Sequence, residues 1–195
     1  AGLSSKDSKV TGTAIFGLDG ELNPRIIITV LEDNLILIDT EKPGVTISEI
    51  PTIDSTRPVV EVVFDSVDFE IIPGGKDAIQ KTIGVGRVLL AADILGASAN
   101  MISNAVEYSL ERKQFNRVIG SFQAVKHMCA EMAADLEPCK SLLWYAAYAQ
   151  DNIREEAALL SCHVKAHLSE VGQDTARTST QVFGGMGFTD LLGMH

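Results

Sequence analysis

Cysteine, aromatic residues and positive charge are all scarce in this chain of 195 residues, and each scarcity excludes something. The three cysteines, Cys129, Cys139 and Cys162, are odd in number and fall within helical patterns, so a secreted disulfide framework is not the organising principle. A reducing, cytoplasmic setting is expected. Sixteen Lys and Arg stand against 26 Asp and Glu, a net charge of -10. Nucleic-acid grooves and anionic membrane surfaces recruit a basic face, so neither is expected as a partner. No unbroken apolar run reaches membrane-span length, and the opening residues AGLSSKDSKV lack the apolar core of a signal peptide. Also missing are a Gly-x-Ser-x-Gly elbow, a Walker loop, an internal repeat and any low-complexity tract.

What is present divides near Pro73-Gly74-Gly75. Ahead of that point lie short β-branched runs over 10–18, 25–31, 34–40, 44–50 and 58–69, separated by turn residues at 32–34, 41–44 and 54–58. In the last run Val60, Val62 and Phe64 alternate with Glu61, Val63 and Asp65, which predicts an antiparallel sheet with one solvated face. Behind Gly75 the period lengthens to the helical value. A first helix is expected from near Val85 to Lys113, apolar almost all round from Val88 to Ala99 and so central in a bundle. A second is expected from a Ser121 N-cap, with Val125, Met128, Met132 and Leu136 on one stripe and Pro138 as a bend or weak turn. A third is expected from about Glu155 to Phe183, with Leu160, Val164, Leu168, Val171 and Thr175 inward and a stop at Gly184-Gly185. The fold class is therefore α+β, with a β part over 1–75 and a helical bundle over 76–195.

Two stretches carry chemistry. In ERKQFNRVIGSFQAVKHM, the cations Arg112, Lys113 and Arg117 surround Phe115 at a helix end. Such a cluster complements the helix C-terminal dipole, worth about 0.3–1 kcal/mol. It also suits an anion, which a guanidinium and a carboxamide can hold together. In QVFGGMGF the paired glycines are first a helix C-cap and second a place for close backbone approach. His163 and His167 stand four apart on one helix face, but no third ligand accompanies them, so surface histidines and no metal are expected. Trp144, Tyr145 and Tyr148 read as core or interface packing.

The stretch EYSLERKQFNRVIGSFQAVKHMCAEM followed by QVFGGMGFTD resembles the C-terminal half of acyl-CoA dehydrogenases, whose helical domain carries R-x-Q-F-G-x-x-I-x-x-F-Q and then Q-x-x-G-G-x-G-[FY]. KVTGTAIFGLDG and VVFDSVDFEIIPGG resemble the second part of that family's central β-domain, so the resemblance covers nearly the whole chain. It implies an FAD-dependent oxidoreductase that dehydrogenates an acyl-CoA thioester at its α,β bond. Carried onto this sequence, it places Arg112 and Gln114 on the pyrophosphate of a neighbouring subunit's FAD and Phe115 against the adenosine part. Gln181, Gly184 and Gly185 approach the same flavin, and Arg87 is assigned to substrate. A homodimer or homotetramer, fatty-acid metabolism and an electron-transfer acceptor protein are implied as well.

Departures from the family pattern are as informative. Asn116 stands where the motif has Gly. The family's catalytic Glu lies in a Tyr-Glu-Gly segment past the Gly-Gly motif, beyond His195, or just before the arginine matched by Arg87, where this chain has Gly86. No catalytic base is therefore named. The resemblance begins midway through the β-domain, so a piece of a longer protein is expected, with a true short paralogue as the alternative. A different functional class also remains open: a non-catalytic subunit lending Arg112 and Gln114 to a partner's flavin, motivated by Asp190-Leu191-Leu192 after GFT.

Overall fold

Alternation in the front segment folds as two antiparallel sheets rather than one. A computed structural model describes residues 2–18, 24–52 and 57–189. Its strands are β1 (Leu3–Lys6), β2 (Lys9–Leu18), β3 (Ile26–Leu31), β4 (Asn34–Asp39), β5 (Val45–Ile50), β6 (Val59–Asp68) and β7 (Glu70–Ile72). One sheet has the order β1-β2-β6-β5 and the other β3-β4-β7. Val10, Val60, Val62, Phe64 and Val67 of the first sheet share a core with Leu31, Ile36 and Ile38 of the second. The expected inward face of Val60, Val62 and Phe64 is therefore correct, and the partner it packs against is the second sheet. Two short strands, β1 and β7, escaped the sequence reading because three or four residues carry too little alternation to register.

Three long helices follow: α1 (Gly75–Glu111), α2 (Gln123–Asn152) and α3 (Arg154–Phe183). The chain divides into two compact units, Ala1–Gln80 and Lys81–His195. Val88 and Ala91 of α1, Leu136, Cys139, Leu143 and Ala146 of α2, and Val164, Leu168 and Val171 of α3 form the main helical core. The stripe expected for α3 supplies Val164, Leu168 and Val171, as a three-to-four spacing dictates. Of the stripe expected for α2 only Leu136 belongs to this core; Met132 lies in a second, smaller core, with Val125 and Met128 packed against it.

Several boundaries differ from expectation for physical reasons. α1 begins ten residues early and carries Gly84 inside it as a packing residue: a Cβ there would meet Gln150 Oε1 of α2 at 2.9 Å. α2 starts at Gln123 with Phe122 as its N-cap and no side-chain cap. Ser121 instead donates its hydroxyl to the Val118 carbonyl at 2.7 Å within a short 3-10 turn. The helix runs unbroken through Pro138, which is exposed together with Ala134, so the carbonyl deprived of its N–H partner lies on the solvent side.

α1 corrects two further expectations. Counted as a helix and not as an unbroken run, it is long and apolar enough by composition to cross a membrane, with a window of mean hydropathy 1.4. Only 22% of that window is buried, so three helices do not enclose it, and Leu89 is 65% exposed. Trp144 and Tyr148 also lie exposed on α2, which removes the core-packing reading for them.

Candidate functional site

The last turn of α1 closes when the Arg112 N–H bonds the Tyr108 carbonyl at 2.9 Å. Instead of running on, the chain folds back as a miniature ribbon of β8 (Lys113–Gln114) and β9 (Arg117–Val118). Between the two strands Phe115 and Asn116 take φ values of 53° and 61°, both left-handed, the geometry of a two-residue type I′ hairpin. Asn tolerates that region better than most residues, so Asn116 does the work of the family's Gly; Phe115 bears about 1–2 kcal/mol of strain. The Ile119 N–H donates to the Arg112 carbonyl at 2.8 Å and clamps the ribbon's base.

Phe115 is held out at the tip, 87% exposed, with its ring edge-on to Phe122 at 6.2 Å. Arg112, Lys113 and Arg117 are exposed, and among the described residues none of their side chains has a carboxylate or hydrogen-bond partner. Gln114 satisfies its amide only locally, donating to the Lys113 carbonyl at 2.8 Å. A hydrogen-bonded loop with three unneutralised cations in a chain of net charge -10 is an arrangement suited to an anion.

The second motif ends α3. Gly184 takes φ 60° and ψ -138°, which side-chain-bearing residues rarely adopt. A Cβ at Gly184 or Gly185 would meet nothing within 4 Å, so these glycines serve backbone shape and leave an open surface. Gln181 is exposed one turn earlier, while Val182 and Phe183 turn inward.

One aromatic contact joins the two motifs. Tyr108, one turn before Arg112, packs on Phe183, immediately before Gly184, with ring centroids 4.5 Å apart. Ala105, Met132, Val182 and Phe183 form the small core beneath. Arg112, Gln114, Phe115, Gln181, Gly184 and Gly185 therefore belong to one end of the helical unit. Arg87 does not. It precedes Arg112 by about seven helical turns, roughly 37 Å along α1 at 1.5 Å per residue. There its Nη1 donates to Cys162 Sγ of α3 at 3.2 Å.

A family model for the acyl-CoA dehydrogenase C-terminal domain matches residues 74–195. The chain belongs to the acyl-CoA dehydrogenase family. The caffeyl-CoA reductase–Etf complex subunit CarC of Acetobacterium woodii is 35% identical over 108 residues, covering 55% of this chain and 28% of that protein. Butyryl-CoA dehydrogenase of Megasphaera elsdenii superposes with a TM-score of 0.85 at 24% identity, covering 99% of this chain and 56% of that one. An FAD complex of PigA superposes with a TM-score of 0.84 at 24% identity, covering 99% and 55%. At these identities the structural likeness is one of fold. The chain thus spans about half the length of these solved structures, and less of the curated relative.

His163 and His167 lie exposed on α3, and the described residues include no group of three or more His, Cys, Asp or Glu able to hold a metal. Burial pushes the Cys129 and Cys139 thiols up, whereas Cys162 is exposed. Sequence reasoning passed over Phe16 in β2. It is 66% exposed with φ 62°, where the β2–β6 register shifts between Ala14 and Gly17. Strain at an exposed aromatic marks a position worth attention. The available signal was the adjacent pair Ile15-Phe16, which an alternating strand cannot bury on one face. Asp190-Leu191-Leu192 lies outside the described residues.

Proposed function

We propose that this chain is the cofactor-contacting part of an FAD-dependent oxidoreductase that dehydrogenates an acyl-CoA thioester between its α and β carbons. The observation that carries the reading is the ribbon after α1: exposed cations without hydrogen-bond partners on a tight turn, set at the same end as an open glycine surface. Arg112 and Gln114 would donate to the pyrophosphate, because a guanidinium and an amide together present several N–H groups to its oxygens. Phe115 would cover the adenosine, and Gln181, Gly184 and Gly185 would let backbone approach. When bound, the flavin supplies the hydride acceptor.

A ribbon held this far from its own core reaches outward, which supports contact with the flavin of a second subunit in a homodimer or homotetramer. Arg87, far along α1, would meet the acyl-CoA separately from these cofactor contacts. An electron-transfer protein fits as acceptor, since the Acetobacterium woodii relative belongs to a complex with Etf. The test is direct. Protein purified from the gene is yellow and bleaches when a saturated acyl-CoA is added without oxygen. Colourless protein overturns the reading.

A second reading rests on Asp190-Leu191-Leu192, a departure from the family pattern after GFT that favours a non-catalytic subunit lending Arg112 and Gln114 to a partner. Yellow protein that bleaches only after a second, related subunit is added supports it; bleaching alone excludes it.

A further inference from the structure

The flavin reading engages one of the loop's three cations and leaves Lys113 and Arg117 without a role. The ribbon's register separates them. Gln114 pairs with Arg117, and Lys113 pairs with Val118. Cross-strand partners share a face and successive residues alternate, so Gln114 and Arg117 stand on one face with Lys113 on the other.

Arg117 is also held in place. Its guanidinium carbon lies 3.8 Å from the centroid of the Phe122 ring, and Phe122 is buttressed by the edge contact with Phe115. Stacking uses the flat face of the guanidinium. In such a stack the N–H donors lie in the guanidinium plane, and none of those of Arg117 has a hydrogen-bond partner among the described residues. The side chain is thus fixed while its hydrogen-bonding edge stays free. That combination lowers the ordering cost of gripping an oxyanion.

Resting on the flavin reading, we propose that Arg117 is a second phosphate-binding residue of the site, acting beside Gln114, with Phe122 as the residue that positions it. Lys113, on the opposite face, takes no part. The ligand feature recognised is the diphosphate and not the flavin ring, because a planar fork of N–H donors matches phosphate oxygens bidentately.

The experiment titrates flavin-free protein with FAD and, separately, with riboflavin, which has the ring but no phosphates. Arg117→Met keeps an apolar stem over Phe122 and removes the charge and the donors. It weakens FAD about tenfold, equivalent to the loss of one charge-assisted hydrogen bond at a factor of ten per 1.4 kcal/mol, and leaves riboflavin unchanged. Arg117→Lys recovers part of the loss, and Lys113→Met changes FAD affinity less than about twofold, the small effect expected of an exposed charge. FAD affinity unaltered by Arg117→Met overturns the proposal, and so does equal weakening of both ligands, which would make Arg117 structural. Arg112→Ala separates the two readings. If it weakens FAD and Arg117→Met does not, only the present proposal falls. If neither does, or if the wild type binds no FAD, the flavin reading falls with it.

Discussion

The helical unit reverses direction twice, and the two reversals are built very differently. Between α2 and α3 a single residue, Ile153, suffices. Its N–H bonds the Ala149 carbonyl at 3.1 Å, and its own carbonyl receives the N–H groups of Glu156 and Ala157. Between α1 and α2 the chain uses residues 112–122, with two left-handed residues, a ribbon, a 3-10 turn and three unpaired cations. Both joints turn an antiparallel pair, so reversal alone does not explain the second. The excess structure lies where the charge is, and it holds aromatic and basic side chains out of the core. A loop more elaborate and more strained than its topological task requires is where binding chemistry is to be sought.

The comparison can first be broken by attacking what the joints share. Leu168 is fully buried in the core that α2 and α3 make with α1. Leu168→Ala is expected to cost about 2–5 kcal/mol in chemical denaturation, through lost transfer energy and the cavity left behind. FAD affinity of the protein that remains folded should be unchanged, since the ribbon is not part of that core.

The elaborate joint breaks more gently. Asn116→Val puts a β-branched residue at φ 61° and is expected to lower stability by about 1–2 kcal/mol while displacing Phe115 and Arg117. Asn116→Gly relieves the same position and leaves the melting temperature unchanged or raised. Thermal melts of the two variants, run beside FAD titrations, show whether ribbon geometry and flavin affinity move together.

The smallest effect belongs to the minimal joint. The Tyr145 hydroxyl donates to Glu156 Oε2 at 2.7 Å, and this bond to a carboxylate, with lesser help from desolvation, holds the phenol above its ordinary pKa. Glu156→Gln should bring the phenolate transition back down in a spectrophotometric titration. Flavin affinity should not respond, because this contact lies at the opposite end of the unit from the ribbon.

Legibility followed the length of each pattern. α3 was readable nearly to the residue because its stripe is long and Gly184 ends it with a conformation other residues avoid. The start of α1 was not, because its first turns are mostly exposed and carry no apolar stripe. The split into two sheets was hidden because alternation gives a buried face without naming what it packs against. Arg112, Gln114 and Phe115 were readable through a motif, as were the glycines. That they share one end of the bundle depends on the Tyr108–Phe183 contact, between residues distant in sequence. The ribbon lay beyond reach, since two-residue strands have no period and the turn Phe115-Asn116 lacks the usual glycine. Without its register, Lys113 and Arg117 are indistinguishable.

The central claim is that Arg112, after α1, holds a diphosphate and does not merely complete a helix. Arg112→Ala tests it most directly, with FAD affinity and the melting of flavin-free protein measured on the same preparation. Removing a charged donor from such a site is expected to weaken FAD about 10- to 150-fold, the equivalent of about 1.5–3 kcal/mol. Stability without flavin should change by no more than about 1 kcal/mol, the limit for an exposed cation at a helix end. Flavin-free protein destabilised by several kcal/mol, with FAD affinity unchanged, would contradict the account and make Arg112 a structural cap.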